Sequence, residues 1–471
     1  MSIVRVSDKP VFETAVPVLV VGAGACGLTA ALAAADAGSE VLVLERDARP
    51  SGSTGMSYGA ICAAGSRAQE ELGIDDSPDL LFEDIMNITR GQTDPALARL
   101  LAKESGPAVD WLIANHGVDL GVVRDWTGLG HRRPRLHAPK DRSGATLMNY
   151  LLSAAGQADV DVLTEARVVS LMANEVDEVL GARVQRPDGS IEAIGCQSLV
   201  LATCGFGANT KWIERWIPEL RNARYHGHEG NTGDGIKWGQ ALGAAVADMG
   251  SYQALGSLAD PQGLVMPHTL LIGGGIQVNA LGQRFQNELD DISGQSLTIL
   301  DQPGGFCWMV FDHRLHAATL ADFQEYRDAE SIHTARRAPT LQALAEQMDV
   351  PPDTLENTMS EVWHYCKENQ QDAYGRLFRE ELGLKAPFYA VRVTGALFHT
   401  QGGLVVNQHG QVKKQSGEAL TNLFAGGGAA RSVSGPGGWA YLPAMGLCTA
   451  VTLGRIAGTA AARLTRGELL T

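Results

Sequence analysis

The chain has 471 residues, of which 45% are hydrophobic and 19% charged, a composition typical of a compact globular enzyme with two or three domains. Its formal net charge is −15, and no part of it is basic enough to suggest a nucleic-acid-binding face. The seven cysteines show neither CxxC spacing nor a Cys/His array. We therefore expect no metal site, reduced thiols and a cytoplasmic protein.

Residues 14–35 carry no charged side chain and are numerous enough to span a bilayer. This stretch nevertheless contains three glycines in a phosphate-loop pattern, and the residues before it lack the basic-then-apolar layout of a signal peptide. We expect neither a membrane span nor a cleaved leader.

The same stretch, continued to residue 47, predicts a strand, a glycine loop, a helix and a second strand. Residues 18–21 are apolar and mostly β-branched, and Gly22-x-Gly24-x-x-Gly27 follows them and opens an alanine-rich helix. In such a motif the first glycine allows a tight turn, the second admits a pyrophosphate, and the third lets helix and strand pack closely. The phosphates would then meet N–H groups at the helix N-terminus.

The second strand is predicted at Val41–Leu44, and Glu45 follows it with a carboxylate suited to ribose hydroxyls. Residues 50–65 are rich in Gly, Ser and Thr, so a flat ring system could lie close to the backbone there. These features indicate a dinucleotide site that holds FAD rather than NAD.

Further elements follow in order. The basic run 131–142 is either a carboxylate anchor or a structural loop. Residues 199–203 predict a buried strand, and the Thr-Gly-Asp-Gly turn at 232–235 predicts a helix from Ile236, with Asp234 near its N-terminus. Residues 340–372 predict two helices separated by Pro351 and Pro352, and the segment from 386 predicts returning strands.

Six motifs in this order resemble the fumarate reductase/succinate dehydrogenase flavoprotein family, which includes the 3-ketosteroid dehydrogenases. They are the turn at 51–60, LATCGFGAN (201–209), NTGDGIKWGQALGA (231–244), GQRFQNE (282–288), HTQGG (399–403) and GRIAG (454–458). Two residues depart from the family pattern: Cys204, within LATCGFGAN, replaces a glycine, and Gly428, in the strand and glycine loop predicted at 422–432, stands where a glutamate is common.

This resemblance implies an α/β fold, with a Rossmann-like FAD-binding domain interrupted by an α+β cap domain. We place the FAD-binding domain at 1–251 and 393–471 and the cap, which would carry the substrate determinants, at 252–392. No histidine lies near 50–60, so we expect FAD to be bound non-covalently. The motifs and the resemblance together assign FAD contacts to Gly22, Gly24, Ala25, Cys26, Gly27, Glu45, Arg46, Ser53, Thr54, Gly55, Met56, Ser57, Val168, Ala202, Thr203, Gly205, Asp234, His399, Gly402, Gly427, Gly428, Ala444, Gly446 and Leu447.

Fumarate reductases of this family grip two carboxylates with arginines and histidines. Counted from the motifs, the matching positions here hold Ile292, Phe398 and Tyr441, and the fourth falls in 251–257, which has no histidine. A buried dicarboxylate would leave its charges unpaired against such residues, at roughly several kcal/mol each. With Trp439 and Trp126, these residues instead indicate an apolar pocket with one phenolic donor.

In the resembling ketosteroid dehydrogenases, a tyrosine of this loop and a nearby backbone N–H bind the substrate carbonyl. The resemblance implies this role for Tyr441 with the backbone of Met445 or Gly446. We therefore expect an enzyme that introduces an α,β double bond into a cyclic ketone, of the 3-ketosteroid or cyclohexanone type. The α-proton would leave to a base and the β-hydride to flavin N5.

The family's basic tyrosine corresponds to Ile292, so the base is open among His268, Asp290, Asp291 and Tyr58, with His268 favoured by its intrinsic pKa. Two alternatives remain: an enone or fumarate-like enoate reductase, and a flavin electron-transfer subunit without a substrate of its own. The expected partners are a small apolar ketone and an external electron acceptor, which could be O2, a quinone or a carrier protein. The sequence leaves open the ketone, the direction of the reaction in vivo, the electron acceptor and the oligomeric state.

Overall fold

The computed structural model describes residues 2–6 and 10–470, which divide into two units. The first unit comprises Met1–Ile217, Gly227–Tyr252 and His399–Thr471, and the second comprises Pro218–His226 and Gln253–Phe398. The second unit includes Pro218–His226 and residues 393–398, which the sequence-based boundaries assigned to the first domain. A short strand in the first of these segments pairs in parallel with Ala396 and Leu397 of the second. The identification of the units as an FAD-binding domain and a cap remains a prediction.

The strands are numbered along the whole chain. They are β1 (Ile3–Arg5), β2 (Thr14–Val21), β3 (Val41–Leu44), β4 (Ile61–Cys62), β5 (Gly121–Val122), β6 (Leu136–Ala138), β7 (Asp161–Leu163), β8 (Arg167–Ala173), β9 (Val179–Gln185), β10 (Ile191–Leu201), β11 (Arg224–Tyr225), β12 (Val246–Ala247), β13 (Tyr252–Ala259), β14 (Ile276–Val278), β15 (Phe306–Asp312), β16 (Arg336–Ala338), β17 (Phe388–Thr400), β18 (Gly403–Leu404), β19 (Gln411–Lys413) and β20 (Ala419–Ala425).

The α-helices are numbered in the same way. They are α1 (Ala25–Asp36), α2 (Gly52–Gly55), α3 (Arg67–Glu71), α4 (Pro78–Ile88), α5 (Pro95–His116), α6 (Gly144–Gln157), α7 (Thr210–Trp216), α8 (Asp234–Ala241), α9 (Thr269–Ile272), α10 (Gly294–Leu300), α11 (His313–Asp322), α12 (Gln324–Ser331), α13 (Leu341–Met348), α14 (Pro352–Glu368) and α15 (Met445–Thr465).

The first unit is built on a sheet in the order β1-β8-β9-β10-β2-β3-β7, with β20 also on β10 and β19 beyond β20. Strands β7, β3, β2, β10 and β20 pair in parallel, whereas β9 runs antiparallel beside the first half of β10. The register aligns the ends of four parallel strands, because Val21 pairs with both Leu44 and Leu201, and Leu201 also pairs with Ala425. The loops that follow these strands therefore start at one edge, where open α/β sheets bind ligands.

Helices α1 and α15 pack together in an apolar core of the first unit. Small residues bring the two backbones close: a Cβ at Gly458 would lie 2.0 Å from the Ala30 carbonyl oxygen, and one at Gly454 would lie 2.5 Å from that of Cys26. The closing GRIAG motif is thus a requirement for close helix packing.

The uncharged stretch 14–35 forms strand β2 and helix α1, separated by the glycine loop, and so is not one continuous helix. Helix α15 is long and apolar enough to cross a membrane by length and composition alone. In its most apolar window 72% is buried inside the protein, as befits the core helix of a folded domain.

The second unit contains a six-stranded sheet in the order β11-β17-β15-β14, with β13 and β16 also pairing with β17. Its charged core is formed by Arg284 and Arg376, which share the fully buried carboxylate of Glu288, while Arg284 also pairs with Asp372. Burial alone would raise the pKa of Glu288, but the charges of Arg376 and Arg284 lower it to about 2.

Most predicted elements are present. Strand β3 has the predicted bounds, and 340–372 contains the two predicted helices, α13, which ends at Met348, and α14, which begins at Pro352, the second of the two prolines. The strand expected at 18–21 begins earlier, because Thr14 already pairs with Ile194 of β10. The helix expected from Ile236 begins at Asp234, immediately after Gly233, which has a left-handed conformation with φ of 78°.

Candidate active site

The phosphate loop between β2 and α1 depends on two close backbone approaches. Gly22 has φ of 105°, and a Cβ there would lie 2.5 Å from the carbonyl oxygen of Ala202. A Cβ at Gly27 would lie 1.7 Å from the Gly22 carbonyl oxygen. At Gly24, by contrast, a Cβ would meet only the Thr54 hydroxyl at 3.5 Å, so this residue borders open space. The loop therefore has the two tight contacts and the one open approach that a pyrophosphate site needs.

Glu45 organises the loop from the end of β3. Its carboxylate accepts hydrogen bonds from the backbone N–H of Ala23 at 2.8 Å and of Asp47 at 3.0 Å. Helix α1 begins at Ala25 without a side-chain cap from Gly24, and the Ala25 N–H donates to the Thr54 hydroxyl at 3.0 Å. A partly buried carboxylate and a helix N-terminus thus lie side by side, where ribose and phosphate groups would bind.

The loop after β10 adjoins α2. The Ser53 hydroxyl lies 3.4 Å from the thiol of Cys204 and accepts from the side-chain amide of Asn231 at 2.8 Å. Cys204 has φ of 59°, in the left-handed region that favours the glycine of the family pattern. The Thr203 hydroxyl is buried and has no hydrogen-bond partner within residues 2–6 and 10–470, so a bound group could satisfy it.

The loop after β20 approaches the same residues. A Cβ at Gly428 would lie 3.2 Å from the Cys204 sulfur, and one at Gly427 would lie 3.2 Å from the Cys26 Cβ. A Cβ at Gly205 would lie 2.2 Å from the Thr400 hydroxyl oxygen, so the Gly205 backbone packs directly against that side chain. The loops that follow β2, β10 and β20 therefore lie close together and contact one another through glycine backbone.

Two other predicted FAD residues line a cavity of about 280 Å³. Val168 and Asp234 border this space with Ser2, Arg167, Val169, Lys237 and Trp238. Val168 is two residues from Ala166, whose N–H donates to the Glu45 carbonyl at 2.8 Å. The carboxylate of Asp234 is held by Thr232 and Lys237.

The remaining predicted FAD residues also belong to the first unit. Arg46 pairs with Asp47 and touches Gly230, and the Ser57 hydroxyl donates to the Thr54 carbonyl at 2.7 Å. The others lie in α2 or at its end (Gly55, Met56), after β10 (Ala202), after β17 (Gly402), and at the start of α15 (Gly446, Leu447). The open approach at Gly24, the N-terminus of α1 and the Thr203 hydroxyl, which has no partner among the described residues, fit FAD.

A second cluster lies where α15 begins. Tyr441 meets His399 edge-on with ring centroids 6.2 Å apart, and a Cβ at Gly446 would lie 3.1 Å from the His399 ring. Ala444 has a left-handed conformation with φ of 65° and gives α15 no side-chain cap. A non-glycine residue in this conformation is strained, and such strain concentrates at functional sites. The phenol, the imidazole and the helix N-terminus are thus neighbours.

The titration states of this cluster follow from burial. Burial raises the pKa of Tyr441, although a hydrogen bond from the Ala444 backbone opposes the shift, so the phenol keeps its proton at neutral pH. Burial lowers the pKa of His399 to about 4, which leaves its imidazole neutral. The cluster therefore carries no charge of its own at neutral pH.

Two arginines of the basic run 131–142 belong to one ion-pair network. Arg135 is fully buried and pairs with Asp76 at 2.8 Å and with Asp84, while Arg132 pairs with Asp84 and Glu83. His131, which the sequence reasoning did not single out, has its Nε2 2.9 Å from the Pro443 carbonyl oxygen. The signal that could have pointed to it is its position beside Gly128 and Gly130.

The predicted substrate residues divide between the units. In the first, Trp126 is partly buried and Trp439 stacks under the Arg90 guanidinium at 4.6 Å. In the second, Ile292 is buried and Phe398 packs on His226 with ring centroids 5.0 Å apart. His268, also in the second unit, is partly buried, but its Nε2 is buried and has no hydrogen-bond partner within the described ranges, and desolvation lowers its pKa to about 4.

The chain matches the family described as FAD binding domain over residues 17–447. It is 30% identical to "Probable fumarate reductase Ifc3" of Shewanella frigidimarina, over 95% of this chain and 74% of that protein. It is 29% identical to "NADH:fumarate oxidoreductase" of Klebsiella pneumoniae, over 96% of this chain but only 48% of that protein, so it spans about half of that relative.

Solved structures show the same fold. An open-conformation flavocytochrome c3 fumarate reductase has a TM-score of 0.83 at 30% identity, covering 96% of this chain and 79% of that chain. The 3-ketosteroid-Δ4-(5α)-dehydrogenase of Rhodococcus jostii RHA1 has a TM-score of 0.75 at 25% identity, covering 97% and 99%.

The fold and the site define a flavoprotein that uses FAD. The chain belongs to the FAD binding domain family and is an FAD-dependent oxidoreductase of the fumarate reductase group, acting on CH–CH bonds. The resemblance and the α/β fold inferred from the sequence are confirmed. The structural relatives include a ketosteroid dehydrogenase, as the resemblance implied. The individual FAD contacts remain predictions.

Proposed function

We propose that the enzyme introduces an α,β double bond into a cyclic ketone of the 3-ketosteroid or cyclohexanone type. The observation that carries this proposal is the position of the Tyr441 phenol beside the uncapped N-terminus of α15. A protonated phenol and helix N–H groups are donors suited to one carbonyl oxygen. The named 3-ketosteroid dehydrogenase among the structural relatives supports this choice.

The expected role of the donors is to stabilise negative charge that develops on the ketone oxygen. As the α-proton leaves, the oxygen becomes enolate-like, and the Tyr441 hydroxyl would hold it together with the backbone of Met445 or Gly446. The partial positive charge at the start of α15 acts in the same direction. Because burial raises the pKa of Tyr441, the donor proton stays on the phenol during this step.

The reaction also requires a base and a hydride acceptor. FAD, when bound, supplies the acceptor for the β-hydride, and an external electron acceptor later reoxidises it. His268 remains the proposed base: its imidazole is neutral and one nitrogen is unpartnered among the described residues, but a pKa of about 4 makes it weak. Asp290 is exposed, and Asp291 is engaged with the backbone N–H of Ser293 at 3.0 Å, so the latter is less available.

A second candidate is the reduction of an enone or enoate, and the names of the fumarate-reducing relatives favour it. A dicarboxylate would need cations near Tyr441. Arg431, ten residues before it, is already bound by Asp248 and Asp94, and Arg90 stacks on Trp439. A neutral ketone needs no such cation, which is why we prefer it.

The test is anaerobic mixing of the FAD-loaded enzyme with a panel of cyclohexanones and 3-ketosteroids, while the visible flavin absorption is followed. The proposal predicts bleaching by at least one ketone, with the matching enone detected by mass spectrometry. Enzyme reduced with dithionite and then mixed with fumarate, acrylate and cyclic enones provides the second arm. Reoxidation by enoates without bleaching by any ketone would establish the second candidate instead.

A further inference from the structure

The loop that carries Tyr441 is held by a residue from a distant part of the chain. His131 is 7% exposed and lies 2.9 Å, through Nε2, from the carbonyl oxygen of Pro443. Pro443 is two residues after Tyr441 and two before the first residue of α15. A carbonyl oxygen can only accept, so the His131 Nε2 must carry the hydrogen.

The other ring nitrogen of His131 fixes this tautomer. Its Nδ1 lies 3.5 Å from Nη1 of Arg135, which can only donate, so Nδ1 acts as the acceptor. Arg135 is itself fully buried and oriented by the carboxylates of Asp76 and Asp84. Burial, with the Arg135 charge in the same direction, lowers the pKa of His131 to about 4 and keeps the ring neutral.

The backbone around His131 is shaped to fit the same loop. Gly128 has φ of 85°, and its Cβ would lie 3.0 Å from the His131 ring and 3.4 Å from Pro443. Gly130 has φ of 83°, and its Cβ would lie 2.9 Å from the side chain of Leu442. These glycines let the 128–131 backbone lie directly on residues 442 and 443.

We propose that His131 is a positioning residue, which holds the Tyr441 loop and the strained Ala444 turn through its hydrogen bond to Pro443. In this scheme His131 touches neither substrate nor flavin. The contacts run from the carboxylates of Asp76 and Asp84 through Arg135 and His131 to the loop that carries Tyr441. The catalytic consequence rests on the proposed function, because it is the Tyr441 hydroxyl whose position matters. The effect on loop order does not depend on that function.

The test uses the FAD-loaded enzyme with 3-fluorotyrosine placed at position 441 and observed by ¹⁹F NMR. The variants are His131→Gln, whose amide can still donate to Pro443, His131→Asn, which is too short, and His131→Leu, which has no donor. His137→Leu is the matched control: His137 is also buried in the same segment but bonds Ser66 and the Arg135 backbone. Anaerobic flavin reduction by the best ketone is measured alongside.

We expect one ¹⁹F resonance in the parent, His131→Gln and His137→Leu enzymes, and a shifted, broadened or split resonance in the Asn and Leu variants. The rate constant of flavin reduction should fall about 10- to 100-fold in those two, with a smaller change in ketone Kd, and recover to within about threefold of the parent in His131→Gln. An unchanged ¹⁹F resonance in both His131→Asn and His131→Leu would overturn the inference. If no ketone reduces the parent flavin, the proposed function fails while the NMR comparison still decides the role of His131.

Discussion

At the residue scale, Tyr441 is the side chain on which the proposed chemistry depends. Its phenol lies beside His399 and the start of α15, and it remains protonated at neutral pH. Tyr441→Phe removes the hydroxyl but keeps the ring packing, so FAD should be retained. We expect the rate constant of flavin reduction by ketone to fall about 10²- to 10³-fold, the usual loss for one oxyanion donor.

Stopped-flow absorbance measures this rate under anaerobic conditions. Tyr374→Phe, on an exposed residue of the second unit whose hydroxyl only donates to the Arg284 carbonyl, is the control and should change nothing. A Tyr441→Phe enzyme that reduces its flavin at the parent rate would refute the assigned role.

Glu45 gives a second residue-scale prediction, for the cofactor. Its two carboxylate oxygens each accept one backbone N–H, from Ala23 and from Asp47. Glu45→Gln keeps one acceptor but turns an NH₂ group towards the other N–H, so the phosphate loop must shift. The Kd for FAD should rise at least about tenfold, equivalent to about 1.4 kcal/mol.

Fluorescence titration of the apoprotein with FAD measures this affinity. Glu40→Gln, on an exposed side chain just before β3, is the matched control and should bind FAD as the parent does. An unchanged Kd in Glu45→Gln would remove Glu45 from the cofactor site.

At the scale of elements, the position of α1 on β2 is fixed by Gly27. Gly27→Ala would put a Cβ 1.7 Å from the Gly22 carbonyl oxygen, so α1 must move away and carry its N-terminal N–H groups with it. We expect FAD affinity to fall about 100-fold or more and the unfolding temperature to drop. Gly156→Ala in α6 meets nothing within 4 Å and should be neutral or stabilising by up to about 1 kcal/mol.

FAD titration and thermal unfolding of the two variants separate a local clash from a general effect of adding a methyl group. Equal behaviour of Gly27→Ala and Gly156→Ala would contradict the close packing of α1 against the phosphate loop.

At the scale of the whole molecule, each unit contains a buried network of arginines and carboxylates. In the first, Arg135 joins Asp76 and Asp84; in the second, Glu288 joins Arg284 and Arg376. Removing one partner of such a network leaves a buried charge uncompensated. We therefore expect Glu288→Gln to lower the free energy of unfolding by about 3–5 kcal/mol at neutral pH.

The pH dependence of stability tests the same network. The folded pKa of Glu288, about 2, lies below its ordinary value of 4.5. The contribution of Glu288 to the free energy of unfolding is therefore complete above about pH 4.5 and is lost as the pH falls through about 2. The free energy of unfolding, measured with denaturant between these pH values, should change less with pH in Glu288→Gln than in the parent. Glu346 is exposed, so Glu346→Gln should show the same pH dependence as the parent. If the curve of unfolding free energy against pH for Glu288→Gln ran parallel to that of the parent, the lowered pKa of Glu288 would be contradicted.

The FAD end of the molecule was largely predictable because its signals are local. The apolar β-branched run, the glycine spacing and the acid after Val41–Leu44 lie within one short segment, and the bounds of β3 are those predicted. The early start of β2 was not predictable, since it depends on pairing with β10, far along the chain. The Ala444 turn was likewise missed, because alanine itself gives no sign of a left-handed conformation.

By itself, the sequence determined the class of protein: the apolar strands, the glycine spacing between strand and helix and the acid after the second strand are dictated by backbone sterics and burial, and together they indicate a dinucleotide-binding fold. Only the tertiary structure decided which residues support Tyr441. His131 and Pro443 are separated by 312 positions, and no local pattern encodes their hydrogen bond. Packing brings them together, because Arg135, Asp76 and Asp84 must satisfy one another's charges in the interior and thereby carry His131 to the loop.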